Sequence, residues 1–189
     1  MFGSDFEHII DLLADRAQSR YYGKYRGSVA DNADPTNRGR LRVRVPSVLG
    51  ALEVWAMPCV PYAGAGVGFY SLPEPGTNIW VEFEAGDPSF PVWVGCFWGD
   101  GELPTDATGA PVKLWKTEKL TLRMDDDKDE TLLQTTSNSK VTLGSDVETA
   151  SGGATHTVGS AGIVSEQGAG KVEVTAGSVR VNNGAMEVV

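Results

Sequence analysis

The chain has 189 residues, 41% of them hydrophobic, and a formal charge of −9 from 25 acidic against 16 basic side chains. Its length and apolar content exceed what a disordered chain carries and suffice for one domain plus a second element. No segment is basic, since residues 21–100 hold 6 basic and 8 acidic side chains and residues 101–189 hold 8 and 13, so the electrostatic footprint of a nucleic-acid binder is missing.

No apolar run reaches the roughly 18 residues that a spanning helix needs. The N-terminus lacks the basic, apolar, small-residue layout of a secretory signal. The expectation is a chain made in the cytoplasm without a signal peptide. Cys59 and Cys96 lie in apolar, strand-like runs without metal-ligand spacing and are expected to be buried, reduced thiols.

Ser4-Asp5-Phe6-Glu7 has the form of a capping box and opens a helix to about Arg20, with Phe6, Ile9, Ile10, Leu13 and Ala17 on one face. A short amphipathic helix of this kind packs on its own domain or docks in a partner's groove. Residues 21–30 read as a first strand interrupted by Gly23 and Gly27, and residues 31–39 as a polar loop of turn formers. Arg40-Leu41-Arg42-Val43-Arg44-Val45 alternates without a fault, so its arginines share one face. Beside Tyr21, Tyr22 and Tyr25 they have the residue types of a single-strand nucleic-acid platform. The acidic surroundings favour instead a pairing with carboxylates such as Glu82 and Glu84 across the sheet.

Residues 54–60 form a third strand, in which Pro58 predicts an edge or a bulge. The alternate glycines of residues 62–68 imitate a dinucleotide loop, but no βαβ unit surrounds them. Residues 69–73 are expected to be a further short strand. Ile79, Val81 and Phe83, then the turn Gly86-Asp87-Pro88, then Val92, Val94 and Cys96 make a long hairpin of period two. Five or six short strands within about 80 residues point to a small antiparallel barrel or sandwich.

Residues 101–111 form a polar linker, and residues 112–115 and 120–124 make another hairpin-like pair. The acidic run from Asp125 to Glu130 lacks the glycine and terminal glutamate spacing of an EF-hand and reads as a solvated turn. Beyond it, apolar-x-apolar beats recur: Val141-Thr142-Leu143, Ile163-Val164, Val172-Glu173-Val174, Val179-Arg180-Val181 and Met186-Glu187-Val188. Only 15 of the 58 positions in 132–189 are Val, Ile, Leu or Met, and none is aromatic. A single chain cannot build a core from so little, yet the beats are too regular for a disordered tail. Both facts are met by a solenoid or intertwined β-structure in which several chains share one narrow apolar axis.

Four ordered pieces carry a family resemblance: Gly39-Arg40-Leu41-Arg42-Val43-Arg44-Val45-Pro46, Pro73-Glu74-Pro75-Gly76, residues 81–88, and Pro91-Val92-Trp93-Val94-Gly95. Together they resemble the OB-fold of phage baseplate spike proteins, the baseplate assembly protein V and VgrG-type family, over residues 22–100. Within that signature fall Gly39, Arg40, Arg42, Arg44, Pro75, Gly76, Phe83, Gly86, Asp87, Pro91 and Gly95. The resemblance implies an all-β protein with a docking helix (1–20), an OB-fold (21–100), a linker (101–111) and an intertwined trimeric β-helix needle (112–189). It further implies a structural baseplate spike that caps the tail tube and pierces the target envelope when the sheath contracts, as part of a phage tail or contractile injection particle.

The partners implied are two further copies of the chain, tail-tube hub proteins met by Phe6, Ile9, Ile10 and Leu13, a PAAR-type tip protein met by Met186, Val188 and Val189, and, transiently, the target membrane. Nucleic acid is not among them. Two departures from the family stand out. The linker leaves no room for the lysozyme domain of some relatives, and the chain end lacks the His-x-His motif that holds an iron ion at the apex of some short spikes. His156 is the only late histidine; three copies around an axis offer ligands for an ion, but a surface or hydrogen-bonded histidine is the favoured reading, and no metal or cofactor is expected.

Two other classes compete. One is an OB-type binding module for single-stranded nucleic acid or carbohydrate with an oligomerising tail. The other is an enzyme, against which stand the presence of only two histidines, His8 and His156, and the lack of any nucleophile motif. Glu82 and Glu84 share a strand face but read more simply as partners of the arginines.

Overall fold

The computed structural model describes residues 8–10 and 20–189, which fall into two compact units dividing after Glu102. Residues 8–10 are helical and exposed. The rest of the expected N-terminal helix, with its capping box, Phe6 and Leu13, lies outside the described residues.

The first unit contains β1 (Tyr25–Asp31), β2 (Leu41–Arg44), a single helical turn α1 (Pro46–Leu49), β3 (Glu53–Pro58), the two-residue strands β4 (Ala63–Gly64) and β5 (Val67–Gly68), β6 (Asn78–Phe83) and β7 (Pro91–Cys96). β1, β2, β3, β7 and β6 close a barrel in that order. Its pairings are antiparallel except β3 with β7, which run parallel where Met57 meets Val92 and Pro58 meets Trp93. Five strands closed in this way are an OB-fold.

Alternation places the core. Leu41 and Val43 on β2, Ile79, Val81 and Phe83 on β6, and Trp93 on β7 point inward, joined by Val29, Val45 and Ala56. Arg42, Arg44, Trp80 and Glu82 take the opposite face, as a period of two requires. A register shift between Trp80 and Val81 sets Val81 against Trp93 and Trp80 against Gly95. With Trp93 inward, Cys96 three residues later faces out. Cys59, just past the end of β3, is also exposed, so the buried thiols expected from the apolar runs are corrected to two exposed free thiols.

Other expectations are corrected as well. β3 is not an edge strand, because it pairs with both β2 and β7; Pro58 is tolerated as its last residue, and the ladder continues through the Cys59 amide to the Trp93 carbonyl at 2.9 Å. Residues 69–73 form no strand. The first strand begins at Tyr25 rather than Tyr21, and Gly27 lies inside it: a Cβ there would stand 2.7 Å from the Arg44 carbonyl, so glycine permits the close approach of β1 to β2.

Residues 20–22 fold back on the β6–β7 turn. The Tyr21 amide donates to the Gly86 carbonyl at 2.8 Å, Arg20 pairs with Asp87 at 3.2 Å, and Tyr21, Tyr25 and Phe83 cluster with centroids 5.6–6.0 Å apart. Gly86 has a φ of 74°, and a Cβ on it would meet the Tyr22 ring at 3.0 Å. Only glycine fits such a position without strain.

The loop between β1 and β2 is tied by Asp34. Its carboxylate accepts from the Thr36 amide at 3.0 Å, the Arg38 amide at 2.8 Å, and the Arg40 Nε and Nη2 at 3.1 and 2.8 Å. These donors, the Arg40 guanidinium first, hold the Asp34 carboxyl well below the usual carboxylate range.

The second unit is a ten-stranded sheet: β8 (Val112–Lys116), β9 (Leu120–Asp125), β10 (Glu130–Thr135), β11 (Lys140–Leu143), β12 (Val147–Ser151), β13 (Ala154–Gly159), β14 (Gly162–Gln167), β15 (Gly170–Val174), β16 (Val179–Val181) and β17 (Met186–Val188). Each strand pairs antiparallel with the next in sequence, a meander without crossovers. The acidic run is the β9–β10 turn. Asp125 is not solvated there but 5% exposed, ion-paired with Arg123.

Leu41→Ala is expected to lower barrel stability in urea by about 2–5 kcal/mol through the cavity it leaves, while Leu52→Ala, at a residue 66% exposed, stays within about 0.5 kcal/mol. Because the folded Asp34 carboxyl titrates below its unfolded value, its stabilisation is complete above the ordinary carboxylate range and drains as pH falls towards the folded value. Asp34→Asn is therefore expected to weaken the barrel at neutral pH and to flatten the acid-side decline of its urea midpoint; an unchanged decline would show that Asp34 carries none of it.

Candidate functional site

Among the described residues every fully buried apolar side chain belongs to the first unit, from Val29 to Trp93. The ten-strand sheet buries none. Its register nevertheless sorts apolar side chains onto one face. One lane runs across the strands as Leu143, Val147, Val158, Ile163, Val174, Val179 and Val188, each directly opposite the next. A second, two residues along each strand, runs Leu122, Leu133, Val141, Thr149, His156, Ser165, Val172, Val181 and Met186.

The residues between the lanes point the other way and are mostly polar: Thr142, Glu148, Thr157, Glu173, Arg180 and Glu187. That face carries ion pairs across and along strands, Lys140–Glu148 at 2.5 Å, Lys171–Glu173 at 3.6 Å and Arg180–Glu187 at 2.7 Å. The Arg180 guanidinium holds the Glu187 carboxyl below its ordinary value. Exposed pairs of this kind add little stability, so their effect is to keep that face wet. The apolar face is the drier in composition yet the more open: Leu143 is 48% exposed, Val158 40% and Val172 43%.

Eight inter-strand steps of about 4.8 Å carry the longer lane about 38 Å across the sheet. A contiguous apolar patch of that extent exceeds the few hundred Å² a monomer ordinarily leaves in water.

The arginine strand of the barrel has a different character. Arg40, Arg42 and Arg44 do share the outer face of β2, and Arg40 also lies over the Trp55 ring at 5.3 Å. Their partners are not Glu82 and Glu84, which sit on and after β6 and do not neighbour β2. Arg40 pairs with Asp34 at 2.8 Å, Arg42 with Asp31 at 3.4 Å and Glu53 at 3.3 Å, and Arg44 with Glu53 at 2.5 Å. Glu82 pairs with Lys24 instead. The sequence reading missed Asp31, Asp34 and Glu53, although β1 and β3, the nearest strands in sequence, were where partners for β2 had to lie.

The remaining sequence-predicted residues are scattered. Gly39 and Gly76 take left-handed turns with φ of 71° and 92°, Pro75 starts the turn before β6, Phe83 and Pro91 face the barrel interior, and Gly95 follows the β6–β7 register shift. Asp87 accepts from the Ser89 amide at 3.0 Å, which together with Arg20 keeps its carboxyl low. Ile9 and Ile10 are exposed on the short described helical stretch, and Met186, Val188 and Val189 are exposed at the end of the meander. Among the described residues no group of three or more His, Cys, Asp and Glu stands ready to hold a metal ion, and no helix is long and apolar enough to cross a membrane.

Charge pairing of the three arginines leads to a direct expectation: full-length protein shows no specific binding to single-stranded DNA by fluorescence anisotropy at physiological salt, and Glu53→Gln, which removes the carboxylate partner of Arg44 and one of the two partners of Arg42, raises binding above the parent. Tight, salt-sensitive binding by the parent would reverse this reading of the barrel face.

A comparison with curated proteins finds no match to this chain. A comparison with protein families matches residues 25–98 to the type VI secretion system/phage-baseplate injector OB domain. The match spans the barrel from the first residue of β1 to just past β7. Residues 25–98 are thus similar to the injector OB domain of type VI secretion systems and phage baseplates, a likeness that supports a baseplate-associated structural role.

Proposed function

We propose that this chain is the central spike subunit of a contractile injection apparatus, working as a homotrimer and without catalysis. The observation that carries the reading is the sheet of ten strands with no buried apolar side chain and two lanes of apolar residues along one face. Strands of three to six residues make a ribbon too narrow for a broad sandwich. Three such ribbons, apolar faces inward, enclose a slender core with only two or three residues per strand to fill it, and leave the Lys140–Glu148 and Arg180–Glu187 faces in water.

In this reading the OB domains cap the tail tube and the meanders wind together into an intertwined β-helical needle. Mechanical work comes from sheath contraction, and the protein's part is to stay folded under load while it pierces the target envelope. Successive antiparallel pairings give each ribbon many hydrogen bonds, and apolar faces packed against one another make the three ribbons unfold together. The N-terminal segment, with Phe6, Ile9, Ile10 and Leu13, docks on tail-tube hub proteins. Met186, Val188 and Val189 supply an apolar end for a PAAR-type tip protein.

Light scattering on the purified full-length chain tests the assembly. A mass of three chains is expected, with Val158→Asp, on the apolar face, reducing it to one chain and Thr157→Asp, on the adjacent outward position, leaving it unchanged. A parent protein with the mass of one chain, or of two, would overturn the needle.

A further inference from the structure

The barrel carries a cleft that the proposed spike does not use. It lies at the barrel end where β6 begins and β7 finishes, measures about 480 Å³, and has Thr77, Asn78, Cys96, Phe97, Trp98 and Glu102 in its lining. A volume of that order suits a small ligand. Its aromatic wall is fixed in advance. The Phe97 amide donates to the Asn78 carbonyl at 3.2 Å, the Phe97 ring packs on Trp80 with centroids 4.8 Å apart, and the Arg26 guanidinium lies 5.3 Å over Trp80 and 4.9 Å over Phe97. Trp98, the next residue, is 65% exposed and lines the cleft. Burial in the same cleft pushes the Cys96 thiol up.

The rim is polar. Asn78 Nδ2 donates to Glu102 Oε2 at 3.1 Å, and the Gly99 amide donates to the same oxygen at 2.5 Å. Asn78 Oδ1 and Glu102 Oε1 accept from no described residue, so two acceptors remain beside the indole. Of the residues that line the cleft, Glu102 alone is charged. An anionic ligand meets that charge with no lining cation to offset it, which also argues against a nucleotide, whose base would stack but whose phosphate would not fit. A purely apolar ligand covers both oxygens without giving them a donor. A neutral sugar meets both demands. One face of a pyranose presents polarised C–H groups, which the negative face of an indole attracts, and its rim hydroxyls donate to the two oxygens.

We propose that this cleft binds a neutral oligosaccharide, with Trp98 as the stacking platform and Asn78 and Glu102 as the hydroxyl acceptors. The site is complete in one chain, so it stands or falls apart from the trimer.

The test titrates full-length protein with maltotriose, cellotriose and triacetylchitotriose, and with trigalacturonic acid as the anionic comparison. Tryptophan fluorescence reports binding, and mass spectrometry of the same samples reports the alkylation rates of Cys96 and of Cys59, an exposed thiol outside the cleft. Saturable binding of at least one neutral sugar is expected, slowing alkylation of Cys96 and not of Cys59. Trp98→Ala weakens that binding about tenfold or more, Trp98→Phe recovers part of it, and Tyr70→Ala, at an exposed ring outside the cleft, leaves it unchanged. The urea midpoint of each variant checks its fold, and protection of Cys96 in the parent tests the site without any substitution. Binding of no neutral sugar at millimolar concentration, tighter binding of the trigalacturonate, a bound sugar that leaves Cys96 unprotected, or undiminished binding by folded Trp98→Ala overturns the proposal.

Discussion

The constraint on which the second half of this molecule depends is that a β-sheet must bury one face. Ten strands in simple meander order satisfy their backbone hydrogen bonds one against the next, but hydrogen bonding alone leaves little net stability. Apolar burial has to supply it, and within a single chain the lanes of Leu143, Val147, Val158 and Ile163 find nothing to bury against. In the proposed trimer the low apolar content follows from the same constraint. A core shared by several chains needs only the side chains of one face, at alternate positions along short strands.

The barrel answers the problem in the opposite way. Closing β1, β2, β3, β7 and β6 on themselves removes free edges and encloses Leu41, Val43, Ile79 and Val81 with no exposure at all. Its outer face is managed by charge: the β2 arginines are each held by carboxylates on β1, β3 or the loop between β1 and β2. Asp34 does most for that loop. By collecting the amides of Thr36 and Arg38 and the guanidinium of Arg40, one carboxylate sets both the loop's course and the side chain that opens β2.

Much of this was legible in the sequence, for reasons that differ from element to element. β2 and β6 alternate so regularly that their inward residues could be named from period alone, and the meander's apolar beats announced short strands and an unfilled core. The arginine partners were misassigned because Glu82 and Glu84 resemble cross-strand mates in sequence, whereas strand order, which places β6 next to β1 and β7 rather than β2, is set by barrel closure and not by local pattern. The exposed thiols were misjudged because the strand phase near Cys96 is set by which residue of β7 faces inward, and Trp93 takes that place. The alignment of Thr149, His156 and Ser165 was not legible because it depends on the pairing register of three successive strands, which the turns between them set.

The uninterrupted order of the meander also governs how such a chain can change length. Each strand touches only its sequence neighbours, so every contact of the sheet is local and its pairing can propagate like a zipper from either end. Adding or removing a whole hairpin lengthens or shortens the ribbon while both lanes stay in phase. An insertion of one residue inside a strand does the reverse, turning every following side chain of that strand to the other face. The reach of the ribbon is thus a quantity that can be adjusted in steps of two strands, while its cross-section stays fixed.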